Sequence, residues 1–181
     1  MHLVQTAQRS YIRLRRGGAS SCDIIQPRLQ GQGGRLMVWG AFSSQGVIPL
    51  VRLHGNLNAV RYTEVLDEHV RHFIHQQPHF IFMQDNAKPH TTNATTRFLQ
   101  ENNINVLQWP ANSPDLNPIE NLWGALKSEL DRREIHGMQQ LFDVALEIFV
   151  GFDQQMLDNL IESMPRHCRE VIKRNGWHIK Y

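Results

Sequence analysis

The apolar residues of this chain change their period at Asn58, and that change limits the folds open to it. Upstream, residues 35–42 and 47–54 are apolar, β-branched runs separated by Ser43-Ser44-Gln45-Gly46, the signature of a β-hairpin. Downstream, Tyr62, Val65, Leu66, His69, Val70, Phe73 and Ile74 recur at i, i+3, i+4, the stripe of an amphipathic helix that ends before Pro78. Residues 79–83 then read as a short buried strand, 95–101 as a helix and 104–109 as another strand; a further helix starts near Asn117. Helices are expected over 138–150, 153–163 and 166–174, the last with Pro165 at its first helical position. Near the start, residues 11–16 form a short strand that stops at Gly17-Gly18, and a loop rich in Ser, Gln and Gly covers 19–34. Antiparallel strands, then alternating helix and strand, then a helical tail define an α/β chain: a mixed sheet with helices packed on it.

The 181 residues, 41% of them hydrophobic, are enough for one domain, 1–181, with a buried core. No stretch approaches the roughly 20 apolar residues that a membrane span needs, and residues 1–16 lack the apolar centre of a secretory leader, so no membrane partner is expected. Cys22 and Cys168 stand alone, which supports neither a disulfide framework nor a paired-ligand zinc site. Net charge is +2, yet residues 1–16 and 166–181 carry +4 each, leaving the middle at −6. A basic periphery around an acidic centre suits a protein that holds a polyanion and cuts it with cations; the plain alternative is ordinary solvated charge.

Two segments carry the chemistry. In Gln84-Asp85-Asn86-Ala87-Lys88-Pro89-His90, Asp85 follows the apolar strand, and the carboxyl end of a strand is where open α/β sheets bind ligands; the plain alternative is an Asx-turn ending that strand. Lys88 and His90 are candidate phosphate contacts, although a loop histidine is more often a local hydrogen-bond partner. The second segment runs from Trp109 to Trp123. Its prolines make a stiff approach, Asn117 reads as an N-cap, Pro118 as the first helical residue, and Glu120 as the third. Here the plain alternative is a capping box. With 34 positions between them, a strand-end Asp85 can face a helix-start Glu120. Two hard oxygen ligands in one cleft suit Mg²⁺ or Mn²⁺ and phosphoryl transfer.

The strings QDNAKPH and SPDLNPIENLW, at that separation, resemble the second and third acidic motifs of the mariner superfamily of DDE transposases. MVWGAFSSQGVIPL resembles the family's second hairpin, and PRHCREVIKRNGWHIKY its C-terminal helix and last residues. The resemblance implies an RNase H-like fold, DNA strand cleavage and transfer in transposition and integration, Asp85 and Glu120 as catalytic metal ligands, two Mg²⁺ (or Mn²⁺) ions in the intact site, and DNA at transposon ends as the partner. It also implies residence in the nucleus and allows a homodimer, with no small-molecule cofactor. The departure is equally specific. The family's first catalytic Asp lies on the opening, central strand of the sheet, and here the first acid is Asp23, inside the Ser/Gly-rich loop. The expectation is therefore an N-terminally truncated catalytic domain. Its central strand is missing or incomplete, its recognition helices are absent, its ion binding is impaired, and it has no strand-transfer activity of its own. The competing reading is a transposon-derived nucleic-acid-binding protein or remnant. Arg13 and Arg15 on the first strand, and Arg169 and Lys173 on the last helix, are the expected phosphate contacts.

Overall fold

A computed structural model describes residues 2–6, 10–13, 35–76, 80–108, 110 and 113–177, with the backbone alone at 2–6, 10–13, 35 and 114. The hairpin comes as expected. β3 (Arg35–Ser43) pairs antiparallel with β4 (Gly46–Leu53), with Ser43 opposite Gly46 and Gly46 at φ 125° in the turn, a value that glycine adopts without strain. β1 (His2–Thr6) and β2 (Ser10–Arg13) both pair antiparallel with β3; the expected first strand over 11–16 is thus observed at 10–13, and residues 14–16 lie outside the described residues. β1 also pairs parallel with β5 (Phe80–Met83), from His2 opposite Phe80 to Gln5 opposite Met83.

The central place of the sheet, expected missing or incomplete, is therefore filled. His2–Thr6 lie between β3 and β5, so both neighbours keep a ladder partner and the sheet has no internal gap. The strand is short, with five residues against nine in β3, and it contains no acid. Beyond β5, the strand expected over 104–109 contracts to an isolated parallel bridge between Phe82 and Val106, held by Phe82 N–H to Asn105 O at 2.8 Å and Leu107 N–H to Phe82 O at 2.8 Å.

Side chains of β3 alternate between two cores. Leu36, Val38 and Phe42 face a layer made by α4 (Ile119–Leu130), α5 (Met138–Val150) and α6 (Gln154–Lys173). Met37, Trp39 and Ala41 face α1 (Ala59–Leu66), α2 (His72–Gln76) and α3 (Asn93–Glu101), joined on that side by Phe80 and Phe82. Helices pack on both faces of the sheet, where the element order gave a mixed sheet with helices packed on it.

Two helices differ from their sequence reading. α1 and α2 are joined by a π-helical segment, Asp67–Arg71. The buried positions Tyr62, Leu66, Val70 and Ile74 recur every four residues, so in a pure α-helix the stripe would turn off the sheet by about 40° per step, and the wider π turn brings it back. The two helices expected over 153–163 and 166–174 are one, with Pro165 inside it. Leu157, Met164 and His167 are buried on either side of Pro165, so packing carries the helix across the missing N–H.

Candidate active site

β5 is apolar and buried, and the chain leaves its carboxyl end at Gln84 and Asp85. Gln84 is buried with both ends of its amide engaged: Tyr62 Oη donates to Gln84 Oε1 at 2.6 Å, and Gln84 Nε2 donates to the His90 carbonyl at 3.2 Å. Asp85 Oδ1 accepts from the Ala87 amide at 3.0 Å, the Asx-turn of the plain alternative, and meets His90 Nδ1 at 2.5 Å. The turn and the exposed strand-end carboxylate coexist, since the Asp85 side chain stays 13% exposed.

His90 closes the 3₁₀ turn Lys88–His90. Its side chain is 1% exposed and its ring lies tilted against Tyr62, with centroids 4.1 Å apart and planes 30° from parallel. The ring expected as a phosphate contact lies against Tyr62 and meets Asp85 through Nδ1. Lys88, the other expected phosphate contact, is exposed at the start of the turn. Thr95 Oγ1 donates to the Pro89 carbonyl at 2.5 Å, and Thr92 caps α3 through Thr95 N–H at 3.2 Å, so the turn is fastened to the helix after it.

Glu120 lies in the first turn of α4, half-buried, with its amide donating to the Asn117 carbonyl at 3.0 Å. The capping role expected of the Asn117 side chain is corrected. Pro118 stands at the cap with helical φ and ψ of −66° and −16°, there is no side-chain cap, and Asn117 Oδ1 is buried without a hydrogen-bond partner. The pyrrolidine ring pre-sets the helical turn one residue later than Asn117, so the Asn side chain packs inward instead of turning to the amides. Asp85 and His90 are thus in contact, while Glu120 enters from α4, in the other helical layer.

The basic positions are spread. Arg13 falls opposite Arg35 in the β2–β3 ladder, and Arg15 lies outside the described residues. On α6, exposed Arg169 donates through Nε to the Pro165 carbonyl at 3.1 Å, and Lys173 pairs with Glu170 at 3.0 Å. Lys173's hydrogen bond and charge hold the Glu170 carboxyl below its usual range; burial, then Arg166, lower His167. Sequence reasoning missed Tyr62 and Gln84, whose polar roles are masked by an apolar helical stripe and an apolar strand.

Asp85, a partly exposed carboxylate at a strand end, fits a hard divalent cation, and Glu120 offers the same donor type. Among the described residues no three His, Cys, Asp or Glu side chains gather within ligand reach, and residues 1–22, which include the central strand, contain no acid.

The family model of the DDE superfamily endonucleases matches residues 5–141. The chain belongs to that superfamily, in its Tc1/mariner branch of transposase catalytic domains. It is 32% identical over 174 residues to the Tc1 transposase of Caenorhabditis elegans, covering 95% of this chain and 64% of that protein. It is likewise 32% identical over 157 residues to the Tcb1 transposase of Caenorhabditis briggsae, covering 86% and 58%. The chain thus spans about three-fifths of these relatives' lengths. The Mos1 mariner paired-end complex with Mn, a crystal structure, superposes with a TM-score of 0.81 at 24% identity, over 98% of this chain and 56% of that one. That likeness bears out the RNase H-like fold, with its small mixed sheet and helical C-terminal region.

Proposed function

We propose that this chain is the DNA-handling part of a Tc1/mariner transposase, acting in the nucleus, that retains two of the family's three metal-binding carboxylates and neither cuts nor joins DNA by itself. The observation that carries the reading is the pairing of a well-held Asp85 at the end of β5 with a central strand, His2–Thr6, that bears no acid. Asp85 and Glu120 would hold one Mg²⁺ or Mn²⁺, which when bound polarises a phosphodiester oxygen and acidifies a coordinated water. The chain's own contributions are geometric. The Ala87 amide and His90 orient Asp85, the first turn of α4 presents Glu120, and exposed Lys88, Arg169 and Lys173, with Arg13 and Arg15, meet phosphates. Strand transfer needs both the attacking and the leaving oxygen stabilised in line, and two carboxylates do not fix two ions for that. A non-catalytic DNA-binding role, with a homodimer as its assembly, is the form of the reading that the acid-free central strand favours.

Crystals grown with Mn²⁺ test the ligand assignment. The expected result is one anomalous peak touching both Asp85 and Glu120. Carboxylate oxygens farther apart than about 5 Å would exclude a shared ion, whose oxygen ligands each stand roughly 2.1 Å from it.

A further inference from the structure

A connected polar cluster lies behind Asp85. Asp85 Oδ1 takes two donors, the Ala87 amide at 3.0 Å and His90 Nδ1 at 2.5 Å. His90 is in turn held by the Tyr62 ring at 4.1 Å, and its carbonyl by Gln84 Nε2 at 3.2 Å, while Gln84 is fixed by Tyr62 Oη at 2.6 Å. We propose that His90 is a positioning residue for Asp85: its Nδ1–H sets the rotamer and plane of the carboxylate offered to a divalent cation, and Tyr62 and Gln84 set His90. The inference rests on Asp85 being a cation ligand.

Two features separate this role from plain core filling. A ring that only filled space would need no hydrogen bond, and a phenylalanine would serve as well. Here the histidine donates to a carboxylate, which requires the proton on Nδ1. In addition, Asp85, Ala87 and His90 lie in one turn whose end is fastened to α3 by Thr95 Oγ1 on the Pro89 carbonyl, so the donor does not drift relative to the acceptor. Carboxylate ligands held by such outer partners lose about 10- to 100-fold in metal affinity when the partner is removed.

The test is a titration of the full 181-residue chain with Mn²⁺, read as paramagnetic broadening of the Asn86 and Ala87 amide resonances, which needs no catalysis. His90→Asn places an amide N–H where Nδ1 stands. His90→Phe keeps the ring contact with Tyr62 and removes the donor, and His90→Gln places its amide near the Nε2 position instead. Expected are wild-type affinity for His90→Asn and a loss of about 10- to 100-fold for His90→Phe and His90→Gln, with folded spectra throughout. If His90→Phe does not fold, the Asn and Gln variants decide between themselves. Equal Mn²⁺ affinity in wild type, His90→Gln and His90→Phe, with Asp85→Asn still abolishing binding, would overturn the positioning role and leave the ligand reading intact. No broadening in the wild type, or broadening unchanged by Asp85→Asn, would overturn both.

Discussion

Asp85 takes part in a turn and in a candidate site at once, because one carboxylate oxygen serves the Ala87 amide and His90 while the side chain keeps a solvent-facing portion. Its place was legible in the sequence, since an acid directly after an apolar strand has few other places to go. The burial of His90 was not. A histidine in a loop-like string gives no sign that the aromatic face of Tyr62, 28 positions earlier, will cover it. Tyr62 likewise read as one more member of an apolar stripe, although its hydroxyl is the partner that lets Gln84 be buried. Tyr62→Phe keeps the ring on His90 but strips that bond from a buried amide oxygen, for a destabilisation of about 1–3 kcal/mol. Thermal denaturation reads it as a Tm lowered by about 2–4 °C per kcal/mol for a chain of this size, and an unchanged Tm would show that the Gln84 oxygen finds another donor.

The elements that sequence placed well are those whose packing agrees with their local signals: the β3–β4 hairpin with its two-residue turn, and α4 behind Pro118. Where packing and local signals disagree, packing decides. Pro165 marked a helix start by its local chemistry, yet α6 runs through it because Leu157, Met164 and His167 continue one buried face. Val106 shows the converse, as the apolar residues 104–109 suggested a strand but only the bridge to Phe82 forms. Pro165 itself is exposed, so Pro165→Ala loses no packing and restores a helical hydrogen bond. Interior Pro costs about 3 kcal/mol against Ala, offset by up to about 1 kcal/mol of entropy in the unfolded chain, so the variant gains about 2 kcal/mol. A Tm that fails to rise on Pro165→Ala would mean that the helix at this position does not gain the hydrogen bond that alanine offers.

At the scale of the whole molecule, the RNase H-like sheet with helices on both faces brings a strand-end Asp and a helix-start Glu into one framework. The filling of the central place by His2–Thr6 was not legible, because five residues without a turn signal or an acid give a sequence reader nothing to fix their partner. The absence of an acid there was legible and matters more to the chemistry. Exposed Lys88, Arg169 and Lys173 predict DNA binding that is sequence-indifferent and salt-sensitive, with dissociation constants on the order of 10⁻⁴ to 10⁻⁶ M at physiological salt. Duplexes of unrelated sequence titrated at several salt concentrations should bind alike, and a strong preference for one duplex would reveal a base-reading element.

The central claim is that a sheet with Asp85 and Glu120 but no acid on its central strand holds DNA without cutting it. It is tested most directly by incubating the purified 181-residue chain with labelled transposon-end DNA in Mg²⁺ or Mn²⁺. The account predicts intact strands at every metal concentration, with or without Asp85→Ala; metal-dependent nicking by the wild-type chain that disappears in Asp85→Ala would contradict it.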